Sequence, residues 1–205
     1  MTTWAIIPVK PLHESKCRLA HLLSADTRAE LILQFLDNLL AVLNETPGID
    51  HTLVVTGDPT AMAMGQKYGA ELLIEPAPAG LNAAVSRGVE HAADLGATTA
   101  LILPADLPFA CVEDIEAMLQ PREGRASSLL AISGDEVEDG TNALLLTPPG
   151  DFTFHYGPDS FAAHLAEAKA RGRAVHKINA PGLRFDLDTE ADWLAYSGQP
   201  SAVTD

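Results

Sequence analysis

Three cationic side chains follow the first apolar segment of the chain, although the protein as a whole is strongly acidic. Lys10, Lys16 and Arg18 come after the apolar residues 5–9, while the whole sequence has 13 Lys and Arg against 28 Asp and Glu. Such an apolar segment predicts the first strand of an open α/β sheet, where ligands bind beyond the carboxyl ends of the strands. The positive charge placed there predicts a site for an anion, in particular a phosphate.

Two carboxylates, Asp186 and Asp188, are spaced two residues apart near the end of the chain. Residues two apart in an extended segment point to the same side, so these carboxylates would be presented together. Such a pair repels unless a cation lies between the two groups, and hard oxygen ligands favour Mg²⁺. The alternative is a solvated strand end followed by a helix cap made by Thr189 and Asp192.

A third carboxylate favours the metal interpretation. Asp106 comes just beyond the apolar residues 101–103, and this position lies at the ligand-binding edge of the predicted sheet. Taken alone, Asp106 could be an ordinary turn residue before Pro108. If it converges with Asp186 and Asp188, three carboxylates face three cations, which suits a polyphosphate bridged by Mg²⁺.

Three further polar segments could bind ligands, and each also has a simpler structural explanation. Gly157 and Ser160 open a predicted helix, where free N–H groups and a hydroxyl form either an anion site or an ordinary N-cap. Thr141 and Asn142 could hold a carboxylate or phosphate, or could merely close a hairpin. The segment Gly80-Leu81-Asn82 could donate hydrogen bonds to a base, or could simply start a helix.

Composition and motifs exclude several classes of function. The net charge of −15 argues against nonspecific nucleic-acid binding and against an anionic membrane surface, and no transmembrane run or secretory signal is present. Two cysteines form neither a disulfide framework nor a Cys-based zinc site, which predicts a reduced, cytoplasmic setting. The histidines lack zinc-ligand spacing, and there is no Gly-x-Ser-x-Gly elbow, P-loop or Gly-x-Gly-x-x-Gly motif.

Strand-like and helix-like patterns alternate and predict one three-layer α/β/α domain with a mixed sheet. This domain is predicted to cover residues 1–197, with a polar tail at 198–205. Strands are predicted at 4–9, 51–56, 71–74, 98–103, 127–132, 142–147 and 174–177. Helices are predicted at 27–43, 59–68, 81–95, 112–119, 158–171 and 189–196. The Leu-rich first helix is expected to belong to the core.

The ordered set of motifs resembles the phospholactate/phosphoenolpyruvate guanylyltransferases of coenzyme F-420 biosynthesis. The resemblance spans about residues 4–195 and rests on residues 7–10, 15–20, 81–84, 105–108, 140–143, 157–160 and 186–189. It implies the nucleotide-diphospho-sugar transferase fold, which is GT-A-like and Rossmann-like. It also implies an enzyme that joins the GMP part of GTP to a three-carbon phosphoacid and releases pyrophosphate. Cys17 departs from the pattern, because a small hydroxyl or alanine is expected there.

The same resemblance implies a role for each group of candidate residues. Mg²⁺, as two ions, would be held by Asp106, Asp186 and Asp188. The triphosphate would be held by the catalytic cations Lys10, Lys16 and Arg18. The phosphoacid would be held by Thr141, Asn142, Gly157 and Ser160. The guanine would lie near Gly80, Leu81 and Asn82. The family also suggests a homodimer.

The sequence does not choose among 2-phospho-L-lactate, phosphoenolpyruvate and 3-phosphoglycerate, which differ by a few atoms. One alternative is nucleotidyl transfer to another phosphorylated acceptor, such as a sugar phosphate or molybdopterin. The enzymes that use those acceptors have a Gly-rich first loop, which this chain lacks. CTP and ATP are alternative donors. The other alternative is a non-catalytic nucleotide-binding domain of the same fold, which would be expected to lack one or more of the six charged residues that this chain retains.

Overall fold

The computed structural model describes residues 1–75, 80–123 and 127–198, so nearly all of the predicted polar tail lies outside the described residues. The strands are β1 (Thr3–Pro8), β2 (His51–Thr56), β3 (Glu71–Ile74), β4 (Thr99–Ile102), β5 (Leu129–Gly134), β6 (Thr141–Thr147) and β7 (Ala174–Lys177). The helices are α1 (Ala25–Glu45), α2 (Pro59–Lys67), α3 (Leu81–Asp94), α4 (Val112–Leu119), α5 (Ser160–Ala170) and α6 (Glu190–Ser197). None of the described helices is both long enough and apolar enough to cross a membrane.

The strands form one mixed sheet in the order β3-β2-β1-β4-β6-β5-β7. Strands β1 to β4 are parallel to their neighbours among themselves, whereas β6 runs antiparallel to both β4 and β5. The chain order of the strands reverses at the β1–β4 pair, which is where ligands bind in open α/β sheets. Because β6 runs in the opposite direction, its first residues lie at the same edge as the carboxyl ends of β1 and β4.

Helices cover both faces of the sheet, which confirms the predicted three-layer arrangement. Alternate residues of β1 point to opposite faces, so Ile7 packs with α1 and α4 while Ile6 packs with α3. In the first helix, Leu36 and Leu39 are fully buried, as the Leu-rich pattern predicts. The two apolar layers thereby fix the sheet. The polar candidate residues lie at the edge formed by the carboxyl ends of β1 and β4.

Several element boundaries differ from the sequence-based expectation by one or two residues, and two of them have a clear physical reason. Strand β5 begins at Leu129, where its pairing with β7 starts, and continues to an irregularity at Gly134. Helix α5 begins at Ser160, because Gly157 and Asp159 have φ angles of 137° and 57°, outside the helical region. The predicted helix start at Pro158 is therefore wrong by two residues.

Candidate active site

The loop after β1 is held by two contacts that the sequence does not reveal. The backbone N–H of Leu12 donates to Asp58 Oδ2 at 3.1 Å, while the other carboxylate oxygen of Asp58 caps α2. The buried guanidinium of Arg28, from α1, donates to the carbonyl oxygen of Ser15 at 3.1 Å. These contacts fix the backbone immediately before Lys16.

Lys16 is turned into the protein from this loop. It lies between two short 3₁₀ turns at Leu12–Glu14 and Cys17–Leu19 and has the left-handed backbone angles φ 52° and ψ 37°. Its side chain is only 3% exposed. The ammonium Nζ is 2.6 Å from Asp106 Oδ2 and 2.8 Å from Asp188 Oδ1. One buried cation thus joins two of the predicted metal ligands.

The three predicted carboxylates converge at the sheet edge. Oxygen atoms of Asp106, Asp186 and Asp188, one from each residue, lie within 4.8 Å of one another. The helix cap expected from the same segment is also present, because Asp192 Oδ2 accepts from the Thr189 hydroxyl at 2.8 Å. The metal-site and capping interpretations of this segment are therefore compatible.

The charges of the cluster are only partly balanced. Burial, together with repulsion from Asp106 and Asp188, raises the pKa of Asp186 to about 6. Burial also opposes the charge of Asp188, but attraction by Lys16 and Arg18 keeps its pKa below the usual value. Burial likewise opposes the charge of Lys16, yet the two carboxylates leave its pKa raised.

This donor set fits a divalent cation. All three candidate ligands are hard carboxylate oxygens, which Mg²⁺ prefers. Within the described part of the chain Asp186 forms no ion pair, whereas Asp106 and Asp188 both contact Lys16. The carboxylate of Asp186 is therefore not neutralised by an ion pair, and a cation bound there would stabilise its ionised form.

The three predicted cations line one cleft. Lys10, Lys16 and Arg18 surround a cavity of about 310 Å³ that also contacts Asp106 and Asp188. Arg18 is 76% exposed, and its guanidinium is 3.7 Å from Asp188, so it can reach a ligand at the mouth. The cleft thus combines the cations and two of the carboxylates in one opening.

On the other side of the β1–β4 pair, Thr141 and Ser160 lie close together around a buried histidine. Thr141 Oγ1 is 3.0 Å from His164 Nδ1, and Ser160 Oγ is 3.4 Å from Thr141 Oγ1. His164 Nε2 accepts the backbone N–H of His155 at 2.9 Å, and burial lowers the pKa of His164 to about 4. Because Nε2 is an acceptor in a neutral ring, the proton is on Nδ1 and is donated to Thr141. The hydroxyl hydrogen of Thr141 is consequently directed elsewhere.

Two asparagines connect these groups. Asn142 Nδ2 donates to Asp186 Oδ1 at 3.4 Å and so links the start of β6 to the carboxylate cluster. Asn82 both donates to and accepts from the backbone of Tyr156, at 3.0 and 2.7 Å. The amide of Asn82 therefore ties the start of α3 to the loop that contains Gly157, whereas Gly80 and Leu81 line a second cavity beside the cleft.

Sequence reasoning identified the carboxylates and cations but missed Arg28 and His164. Each is a single residue within a helix, and a lone basic residue on a helix carries no spacing signal. The burial of each is the informative property, and burial depends on the packing of other elements.

Comparison with known proteins gives a family for this arrangement. Residues 3–196 match the family described as "Guanylyl transferase CofC like". The chain belongs to this family. Phosphoenolpyruvate guanylyltransferase of Conexibacter woesei is 42% identical over 94% of this chain and 86% of its own length. A relative named 3-phospho-D-glycerate guanylyltransferase, from Colwellia psychrerythraea, is 34% identical over 100% of this chain and 95% of its own length.

Solved structures show the same fold outside the CofC-like guanylyltransferases. A protein from Desulfovibrio desulfuricans described as a nucleotide-diphospho-sugar transferase has a TM-score of 0.74 at 17% identity, covering 98% of this chain and 90% of its own. The 4-diphosphocytidyl-2C-methyl-D-erythritol synthase of Anaerococcus prevotii has a TM-score of 0.63 at 13% identity, covering 97% and 99%. These similarities confirm the predicted GT-A-like α/β fold.

Proposed function

We propose that this guanylyltransferase condenses GTP with a three-carbon phosphoacid, such as phosphoenolpyruvate, 3-phosphoglycerate or 2-phospho-L-lactate, in coenzyme F-420 biosynthesis. The convergence of Lys16 with Asp106, Asp186 and Asp188 at the sheet edge carries this proposal. A buried cation among three carboxylates, beside a cleft with two further cations, suits a metal-bound triphosphate. The names of the relatives support acceptors of this class.

In the proposed reaction a phosphate oxygen of the acceptor attacks the α-phosphorus of GTP, and the bond to pyrophosphate breaks. The acceptor phosphate is already an anion, so no general base is needed, and the main barrier is the approach of two anions. Lys10, Lys16 and Arg18 would neutralise the triphosphate in a fixed geometry. Asp106, Asp186 and Asp188 would hold Mg²⁺, expected as two ions, and the bound metal would supply neutralisation of the phosphate charge.

The acceptor would bind on the side of Thr141 and Ser160. Since His164 donates to Thr141 Oγ1, the Thr141 hydroxyl is left to donate its own hydrogen to a phosphate or carboxylate of the phosphoacid. Asn142 and Gly157 would complete this subsite. The contact of Asn142 with Asp186 would link the subsite to the carboxylate cluster. Holding the acceptor rigidly here would supply the orientation that transfer requires.

The proposed function is tested by pyrophosphate release from purified protein with GTP, MgCl₂ and each phosphoacid in turn. We expect release with at least one acid, dependence on Mg²⁺, and loss of release when ATP or CTP replaces GTP. If no acid supports release while GTP and Mg²⁺ still bind, the acceptor class is wrong. If CTP or ATP works as well as GTP, the donor assignment is wrong.

A further inference from the structure

The second cavity beside the cleft contains a buried carboxylate that the proposed reaction does not use. Glu75 directly follows β3 and lines this cavity of about 210 Å³ together with Lys10, Gly80 and Leu81. Glu75 is only 8% exposed, and its Oε1 has no hydrogen-bond partner in the part of the chain that the structure describes. Buried acceptors are nearly always paired, so a carboxylate that has an unpaired oxygen and also lines a cavity is a candidate partner for a ligand with donor groups.

The cavity is connected to the phosphate cleft and has a different character. The two share five lining residues, which are Pro8, Val9, Lys10, Glu14 and Leu81. The apolar lining of the second cavity is formed by Pro8, Val9, Pro11, Leu81 and Ala84. A nucleotide whose phosphates contact the cations of the cleft can extend its base into this cavity. A flat ring would contact apolar walls on its faces and meet Glu75 along its polar edge.

We propose that Glu75 is the residue that selects guanine, by accepting hydrogen bonds from the N1–H and the 2-amino group of the base. This inference rests on the proposed function, because it requires the triphosphate in the adjoining cleft. Guanine presents two neighbouring donors on this edge, which match the two oxygens of an ionised carboxylate. Adenine and cytosine each present a ring-nitrogen acceptor there, which would be repelled by the same carboxylate. Selection thus combines attraction for guanine with repulsion of its competitors.

The test compares GTP with ITP, which keeps N1–H but lacks the 2-amino group. We expect wild-type protein to prefer GTP over ITP by about tenfold or more in kcat/KM, the effect of losing one hydrogen bond to a charged acceptor. In Glu75→Gln this ratio is expected to fall to about one. The glutamine amide has one acceptor, its oxygen, and one donor group, its NH₂. The NH₂ group therefore faces either the N1–H or the 2-amino group of guanine, and the hydrogen bond that favours GTP is lost.

Two further carboxylate variants are matched to Glu75→Gln. Glu90→Gln, on the exposed face of α3, is expected to leave the GTP-to-ITP ratio unchanged. Glu14, which is 53% exposed, also lines the cavity. If Glu14→Gln removes the preference for GTP and Glu75→Gln does not, the proposal is overturned. Should Glu75→Gln fail to fold, Glu75→Asp serves instead. This variant is expected to weaken the binding of GTP more than the binding of ITP.

Failure of this inference can be told apart from failure of the proposed function. Absence of pyrophosphate release from GTP with every phosphoacid contradicts the proposed function, whereas equilibrium binding of GTP and ITP still tests Glu75. Equal use or binding of GTP and ITP by wild-type protein contradicts the role of Glu75. A Glu75→Gln variant that loses discrimination against 2′-deoxy-GTP, but keeps discrimination against ITP, would place the carboxylate at the ribose and also overturn the proposal.

Discussion

At the residue scale, the site depends on a lysine that occupies the space between two acids. Lys16 contacts Asp106 and Asp188 at ion-pair distance, while Asp186 has no cationic partner in the described chain. Removing one member of such a buried cluster leaves uncompensated charge, which costs more than the pair itself contributes. Substitutions in this cluster therefore separate structural roles from chemical ones.

Asp188→Ala is expected to lower kcat for pyrophosphate release by about 1,000-fold or more, since the proposed role of Asp188 is to hold the charge-stabilising metal. The fold should persist, because the cap of α6 depends on Thr189 and Asp192. Asp94→Ala, at the exposed end of α3, provides the matched control. Near-normal activity in a folded Asp188→Ala protein would show that this carboxylate does not hold the metal.

Lys16→Met is expected to lower the free energy of unfolding by about 1–3 kcal/mol in the absence of Mg²⁺. This loss is smaller than for a fully buried ion pair, because Asp106 and Asp188 are partly exposed and solvent screens their charges. Added MgCl₂ should stabilise this variant more than wild type, since the carboxylates then lack their internal cation. Denaturant unfolding with and without MgCl₂ measures both effects, with exposed Lys169→Met as control. Equal stabilisation of both proteins by Mg²⁺ would mean that Lys16 and the metal do not share ligands.

His164 gives a pH dependence whose sign follows from its lowered pKa. The folded protein holds His164 neutral down to about pH 4, whereas the unfolded chain binds a proton near pH 6.5. Acidification therefore favours unfolding, and the stability associated with neutral His164 is present above pH 6.5 and lost toward pH 4. His155 and Glu167 face the ring and act on it in opposite directions, His155 lowering and Glu167 raising its pKa.

Denaturant unfolding of wild type and His164→Gln at pH 7.5 and pH 5 tests this expectation. The stability advantage of wild type should shrink by about 2 kcal/mol between the two pH values, because only wild type carries the depressed imidazole. An advantage that stays constant with pH would contradict the neutral, Nδ1-protonated ring that donates to Thr141.

At the element scale, the site depends on how closely α3 lies on the sheet. Gly88 faces β1 and β2, where a Cβ would come within 2.7 Å of Ile6 Cγ2 and 2.9 Å of Val55 Cγ2. The helix can therefore sit directly on these strands only because residue 88 has no side chain. The N-terminal end of α3 brings Leu81 and the preceding residue, Gly80, to the second cavity.

Gly88→Ala is expected to cost about 1–3 kcal/mol of stability through overpacking. Since the shifted helix would move the start of α3, KM for GTP should rise by more than kcat falls. Ser86→Ala, on the same helix, is the control for altered helix propensity. A variant with wild-type stability and unchanged KM would show that the layer between α3 and the sheet can expand without affecting the cavity.

The elements were largely predictable because each has a local signal. Asp58 followed by Pro59 predicted the start of α2, and the period-two spacing of Asp186 and Asp188 predicted that they face one side. The start of β5 could not be predicted, because Leu129 pairs with Thr147 of β6 and Ala174 of β7, and both partners are distant along the chain. The burial of Glu75 was hidden for the same reason, since it depends on elements distant in sequence.

At the scale of the whole molecule, positive charge is scarce and localised. The chain carries a net charge of −15, and three of its 13 Lys and Arg residues line the cleft. A protein of this charge repels a free triphosphate overall, so binding should depend on the local cations and on a metal that neutralises part of the ligand.

GTP with MgCl₂ is therefore expected to raise the melting temperature, while GTP with EDTA is expected to have a much smaller effect. At a free ligand concentration 100 times Kd the gain in unfolding free energy is about 2.7 kcal/mol. Thermal unfolding with GTP, MgCl₂, both together or neither gives the comparison. Equal stabilisation by GTP in MgCl₂ and in EDTA would indicate nucleotide binding without participation of the carboxylates.

The reversed direction of β6 has an evolutionary consequence. The end of β1, the residue that follows β3 and the start of α3 border the cavity proposed for the base, while β6 and α5 carry the residues proposed for the acceptor. In the proposed function the two substrates would thus be served by opposite halves of one sheet, which are joined at the β1–β4 pair and by Asn142. Mutations in one half can change which acceptor is accepted while the other half keeps its nucleotide, so new acceptors can arise without rebuilding the enzyme.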